Sequence, residues 1–132
     1  MIRMGEETTK PKQLTKRGEF DYDYADDTLF FKVKDRNYEK SVEVDRFVID
    51  IDNKDFVVGL QIFDASELFS LPKSALRNVE KWQLQAVVHD NVIEVKLAFA
   101  TVLRNKVTQQ KPIIVERLQE HLPNSRMISV SA

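Results

Sequence analysis

Val48–Ser66, VIDIDNKDFVVGLQIFDAS, decides the reading of this chain. Phe47, Ile49 and Ile51 alternate with Val48, Asp50 and Asp52, and a period of two is the signature of a strand. Asn53-Lys54-Asp55 supplies turn chemistry, after which Phe56 to Phe63 returns as a second strand. That strand is apolar on both faces, with Phe56, Val58, Leu60 and Ile62 on one and Val57 and Phe63 on the other. Two-sided burial predicts a central strand, or one whose second face is covered by a helix or a partner. Gly59 interrupts it, and glycine inside a strand marks a bulge or a close backbone approach. Asp64-Ala65-Ser66 then leads into ELFSLPKSALRNV, one or two short helical turns. Ser66 or Asp64 is the expected cap, and Pro72 suits the first turn of the second piece.

The same alternation extends in both directions. Upstream, FDYDYADDTLFF (Phe20–Phe31) sets Phe20, Tyr22 and Tyr24 against Glu19, Asp21 and Asp23. A turn at Ala25-Asp26-Asp27 follows, and Thr28 to Lys34 completes a hairpin with Leu29, Phe31 and Val33 on one face. Asp35 to Lys40 reads as a loop, and Ser41 to Val44 as a short strand. Downstream, Trp82, Leu84, Ala86 and Val88 share a face opposite Gln83 and Gln85. Asp90-Asn91 stands where a two-residue hairpin turn is expected. Ile93, Val95, Leu97 and Phe99 line the long strand beyond it. In the tail, PIIVERLQEHLP predicts a helix through Ile114, Val115, Leu118 and Leu122, between Pro112 and Pro123; its β-branched opening also fits a strand. The fold class expected is α+β: β-rich, of antiparallel hairpins and meander, with one or two short helices.

At 132 residues with 42 % apolar and 31 % charged residues, the chain has the profile of one globular domain with a real core. Residues 1–18 read as a flexible polar arm and 19–132 as a single β-rich domain. The absence of cysteine excludes disulfides, thiolate catalysis and cysteine zinc sites. With no apolar run of membrane-spanning length and no secretory leader at the N-terminus, the expected location is cytoplasmic. Net charge is −1, unevenly spread: residues 1–18 carry +3, residues 19–71 carry −8 and residues 72–132 carry +4. The halves could face each other within a chain or across a dimer, but acids on solvent faces and turns are the simpler account.

Phe20-Asp21-Tyr22-Asp23 with Ala25-Asp26-Asp27-Thr28-Leu29-Phe30-Phe31 resembles the opening of the prokaryotic domain-of-unknown-function family 2283. Val48-Ile49-Asp50-Ile51-Asp52, Val57-Val58-Gly59-Leu60-Gln61-Ile62 and Ala65-Ser66 are similar to its second block. The resemblance covers about residues 19–66, a family-like half, and leaves 67–132 as an extension. Gln61, where family members commonly carry glutamate, and Phe56, where a glycine is more usual, depart from the pattern. The resemblance implies a small cytosolic prokaryotic protein of unknown activity. An antitoxin or adaptor role is conceivable from it, and it supplies no functional residues.

Asp50, Asp52 and Asp55 spell D-x-D-x-x-D, but a calcium loop needs a glycine at its turn and a distal glutamate. Position 56 is Phe and no glutamate lies at the right spacing before Glu67, so these aspartates are expected on the strand surface and in the turn. Asp21, Asp23, Asp26 and Asp27 are read the same way. His89 and His121 have no zinc spacing, and His89 is expected to end a strand beside Asp90. Ser66 lacks the glycines of a nucleophile elbow. Three glycines, Gly5, Gly18 and Gly59, form no phosphate-cradling motif. Lys73, Arg77, Lys81, Lys96, Arg104, Lys106 and Lys111 could form a basic face with Trp82 as a stacking surface, though Trp82 is better placed in the core. The expectation is a non-enzyme without catalytic, metal or cofactor-binding residues, acting as a homodimer that covers its sheet. A protein partner is open and nucleic acid is disfavoured. An antitoxin-like or nucleic-acid-associated regulator ranks second and a metal-dependent hydrolase third.

Overall fold

The computed structural model describes residues 12–131. Its strands are β1 (Lys12–Asp23), β2 (Thr28–Val33), β3 (Lys40–Val44), β4 (Phe47–Ile51) and β5 (Val57–Ile62), then β6 (Trp82–His89), β7 (Val92–Leu103), β8 (Lys106–Gln110), β9 (Ile113–Arg117) and β10 (Ser125–Ser131). Helices α1 (Ala65–Phe69) and α2 (Lys73–Arg77) lie between β5 and β6. The strands form one sheet in the order β3-β4-β5-β2-β1-β10-β6-β7-β8, with β9 also pairing β7. Pairing is antiparallel except between β1 and β10. The expected β-rich fold is present, close to all-β, with the two short helices in place.

The sheet curls on itself. Lys40 on edge strand β3 reaches Glu120, in the loop after β9, with Nζ 2.7 Å from Oε2. Its concave face carries one continuous core that joins both halves, from Leu29, Phe31, Ile49 and Leu60 to Trp82, Leu97, Phe99 and Met127. Trp82 is 5 % exposed and sits between Phe20 and Phe99, with ring centroids at 5.8 and 4.6 Å. The core reading of Trp82 therefore holds, and β5 is an interior strand, flanked by β4 and β2.

Turn chemistry explains many of the acids. Among the described residues nine non-glycine residues have positive φ, and seven of them are Asp or Asn, the side chains that best tolerate the left-handed region. Asp90-Asn91 (φ 50° and 64°) and Arg104-Asn105 (φ 52° and 65°) close the β6–β7 and β7–β8 hairpins in the manner of type I′ turns. In a chain with three glycines, Asp and Asn take over the positions glycine usually fills.

Two expectations are corrected. Lys12 to Gly18 is not arm but strand: these residues pair in parallel with Ser125 to Ser131, because β10 would otherwise leave its backbone groups unpaired. Residues 1–11 of the expected arm lie outside the described residues. The tail helix is also absent: Ile113 to Arg117 pairs with β7 instead, since β-branched residues lose rotamer freedom in a helix and pack well on a sheet. The apolar spacing seen in the sequence still has a meaning. Ile114, Leu118 and Leu122 are all buried, the last two from a loop held by Asn91. Asn91 O and Oδ1 accept the Leu118 and Leu122 amides at 2.8 and 3.1 Å.

Candidate functional site

Asp27 ends the β1–β2 turn with φ 52° and meets the start of α1. Its carbonyl accepts the Ala65 amide at 2.9 Å. Its carboxylate accepts the Ser66 amide at 3.0 Å, the Ser66 hydroxyl at 2.6 Å and the Tyr22 hydroxyl at 2.6 Å. The capping group of α1 is thus supplied by a residue 39 positions away. Asp64, at the N-cap position, makes no side-chain cap bond, and the Ser66 hydroxyl points to Asp27, which corrects the local cap read from sequence. Burial works to raise the Asp27 carboxyl, but donation from Ser66 and Tyr22, with the charge of Lys73, outweighs it and holds the carboxyl below its ordinary value. Burial and the bond to Asp27 push the Tyr22 phenol upward. The cluster thus ties the β1–β2 turn to the start of α1 as a latch. Beside it, Lys73 and Arg77 lie over the Tyr24 ring at 5.0 and 4.6 Å.

Asp52 is a second organiser. Expected at the strand surface, it is 4 % exposed, a correction with a clear cause. One oxygen accepts the Lys54 and Phe56 amides of the β4–β5 turn at 3.0 and 2.9 Å, and the other accepts Arg36 at 2.7 Å. Asp50 instead takes a bond from Ser41 Oγ at 2.7 Å, and Asp55 turns the chain with φ 65°. The upstream aspartates also divide: Asp23 accepts the Asp26 amide at 3.1 Å, whereas Asp21 lines a groove. Among the described residues no three His, Asp or Glu side chains gather where a metal ion would sit. His89 ends β6, its Nδ1 3.3 Å from Asp90, as the sequence suggested.

The convex face of the sheet holds the accessible features. On the β1–β2–β5–β4 side a groove of about 480 Å³ is lined by Glu19, Asp21, Phe30, Lys32, Tyr38 and Asp50 among others. On the β10–β6–β7 side a groove of about 380 Å³ is walled by Ile113, Ile128 and Val130 with Lys96 and Lys111. Next to it, a third of about 500 Å³ runs past Lys81 and Lys111 to the paired Val102 and Val107. Of the seven basic residues singled out in the sequence, Lys81, Lys96 and Lys111 line these adjoining grooves; Arg104 turns the β7–β8 hairpin and Lys106 begins β8. The aliphatic character of this face was missed in the sequence, because β8 and β9 were not read as strands.

The model of the family "Protein of unknown function (DUF2283)" matches residues 19–66. A Methanosarcina mazei protein named "Putative hypoxanthine phosphoribosyltransferase" is 30 % identical over 91 residues, 69 % of this chain and 74 % of that protein. An uncharacterized protein of Methanocaldococcus jannaschii is 27 % identical over 95 residues, 71 % of this chain and 82 % of its own length. Alignments of that length cannot fit within residues 19–66, so the likeness runs beyond the family core. No solved structure matches the chain significantly.

Proposed function

This chain belongs to the DUF2283 family of proteins of unknown function, and on that footing we propose that it is a non-enzymatic interaction module of the cytoplasm that acts as a homodimer. The observation that carries the reading is an aliphatic stretch of convex sheet in water. Val102, Val107, Ile113, Val115 and Val130 are 58, 70, 58, 55 and 41 % exposed, all on β7 to β10. Clustered exposed aliphatics of this kind mark association surfaces, and a second copy is the most economical cover.

Phosphoribosyl transfer, the chemistry in the name of the Methanosarcina relative, needs donors to hold charged phosphates, commonly a glycine-rich loop or helix N-terminus. Gly18 and Gly59 lie within strands with side-chain atoms close against them, and α1 and α2 have five residues each. A nucleic-acid-associated or antitoxin-like regulator using the basic second half has less support. Trp82 is enclosed by Phe20 and Phe99, and Lys73 and Arg77 are turned onto Tyr24. Light scattering at micromolar concentration tests the proposal. The expected mass is twice the 15.4 kDa of one chain; a single-chain mass would overturn it.

A further inference from the structure

We propose that the groove of about 480 Å³ over β1, β2, β5 and β4 binds an organic cation, an ammonium or guanidinium on an apolar stem. Its floor is set by register: Glu19, Lys32, Gly59 and Asp50 stand side by side across four strands. Adjacent strands are about 4.8 Å apart, so this row spans roughly 14 Å. Gly59 leaves the middle of the row without a side chain, and the Asp50 carboxylate leans across it. A Cβ at Gly59 would stand 2.7 Å from Asp50 Oδ2. While Oδ1 of Asp50 accepts from Ser41, Oδ2 lies nearest the Gly59 position with no hydrogen bond from a described residue.

Charge and shape agree on the occupant. Lys32 stands between Glu19 and Gly59 in the row, one cation among the lining carboxylates Glu19, Asp21 and Asp50. Arg36 also lines the groove, but its charge is paired with Asp52 at 2.7 Å. Glu19, Asp21 and Asp50 together outnumber Lys32, which leaves the groove with negative charge to offer a ligand. Phe30, 38 % exposed, and Tyr38, 60 % exposed, also line the groove, and aromatic rings attract cations and pack against an apolar stem. The same chemistry can arrive on a free amine or on a Lys or Arg side chain of a partner protein.

Calorimetric titration with n-butylguanidinium and its neutral isostere n-butylurea, at low salt, tests the site. A blocked Arg-Leu-Arg peptide and its citrulline counterpart form the second arm. The cations are expected to bind at least about ten-fold more tightly than the neutral forms, less so as salt screens the carboxylates. Asp50→Asn, which keeps a carbonyl for Ser41, and Tyr38→Ala, a surface change, should each weaken binding about five-fold or more. Their thermal melts report that the fold is intact. Binding of the small guanidinium supports a free-ligand site, and binding of the peptide alone supports delivery by a partner protein. No binding at millimolar concentration, equal binding of the neutral isosteres, or full binding by both variants would overturn the proposal.

Discussion

The Ser66 hydroxyl donates to Asp27 Oδ2 across 2.6 Å, although the two residues are 39 apart in sequence. Both belong to the segments that carry the family resemblance, and the contact explains why those segments go together. The turn closing the first hairpin becomes the cap of the helix leaving β5. Replacing Asp27 by Ala strands the Ser66 amide and the Tyr22 and Ser66 hydroxyls, for a loss of about 2–3 kcal/mol. Ser66→Ala removes one bond and should cost about 1 kcal/mol. Urea denaturation of both variants and the double variant is the check, and the double variant should fall short of the sum.

The latch also has an acid limb. Asp27 titrates lower in the folded chain than its ordinary value, taken here as the unfolded one, so the stabilisation is complete above the ordinary carboxylate range, near pH 4. It declines as pH falls through the folded value and is gone below it. Asp27→Asn should flatten the stability-against-pH curve below about pH 4, measured by thermal melting across that range. An unchanged slope would remove Asp27 from the account.

Asp52 predicts a different failure. Asp52→Ala leaves the Lys54 and Phe56 amides without their acceptor and Arg36 without its anion, at a cost of about 2–4 kcal/mol. Hydrogen exchange should show the loss as faster exchange at those two amides.

Gly18 is held by packing. An added Cβ would come within 2.4 Å of the Phe31 ring and 2.5 Å of Ser129 Oγ. Gly18→Ala should therefore destabilise by about 1–3 kcal/mol through overpacking, and Gly18→Val by more. Chemical denaturation gives the value.

The proposed dimer face predicts a change of mass without loss of fold. Val107→Lys combined with Ile113→Lys places charge on residues that are 70 and 58 % exposed. Exposed positions tolerate such changes within about 0.5 kcal/mol, so the melting temperature of the monomer should hold while light scattering reports a single chain.

What the sequence revealed, and what it hid, follows from the range of the interactions. Alternation along β2, β4, β6 and β7 is local, and it located those strands and most of their core residues. The acidic turns were equally local. Hidden were contacts whose partners lie far along the chain. Lys12 to Gly18 looks like a polar arm because β10, its partner, is more than 100 residues away. Asp52 looks like a surface acid until the turn amides and Arg36 close around it. The tail's helical spacing was real, but Leu118 and Leu122 reach the core from a loop anchored by Asn91.

Gly18 marks a division of labour along β1: up to this residue the strand pairs with β10, and from it onward with β2. The family match begins at residue 19, on the β2 side of that division. The order of synthesis then matters. The hairpin from Gly18 to Val33 can form as soon as it leaves the ribosome. Residues 12–17 must wait for β10, about 100 residues later, or roughly 5–20 seconds at ordinary translation rates. Throughout that interval residues 12–17 lack the strand they pair with, and an unpaired strand is a template on which other chains can pair.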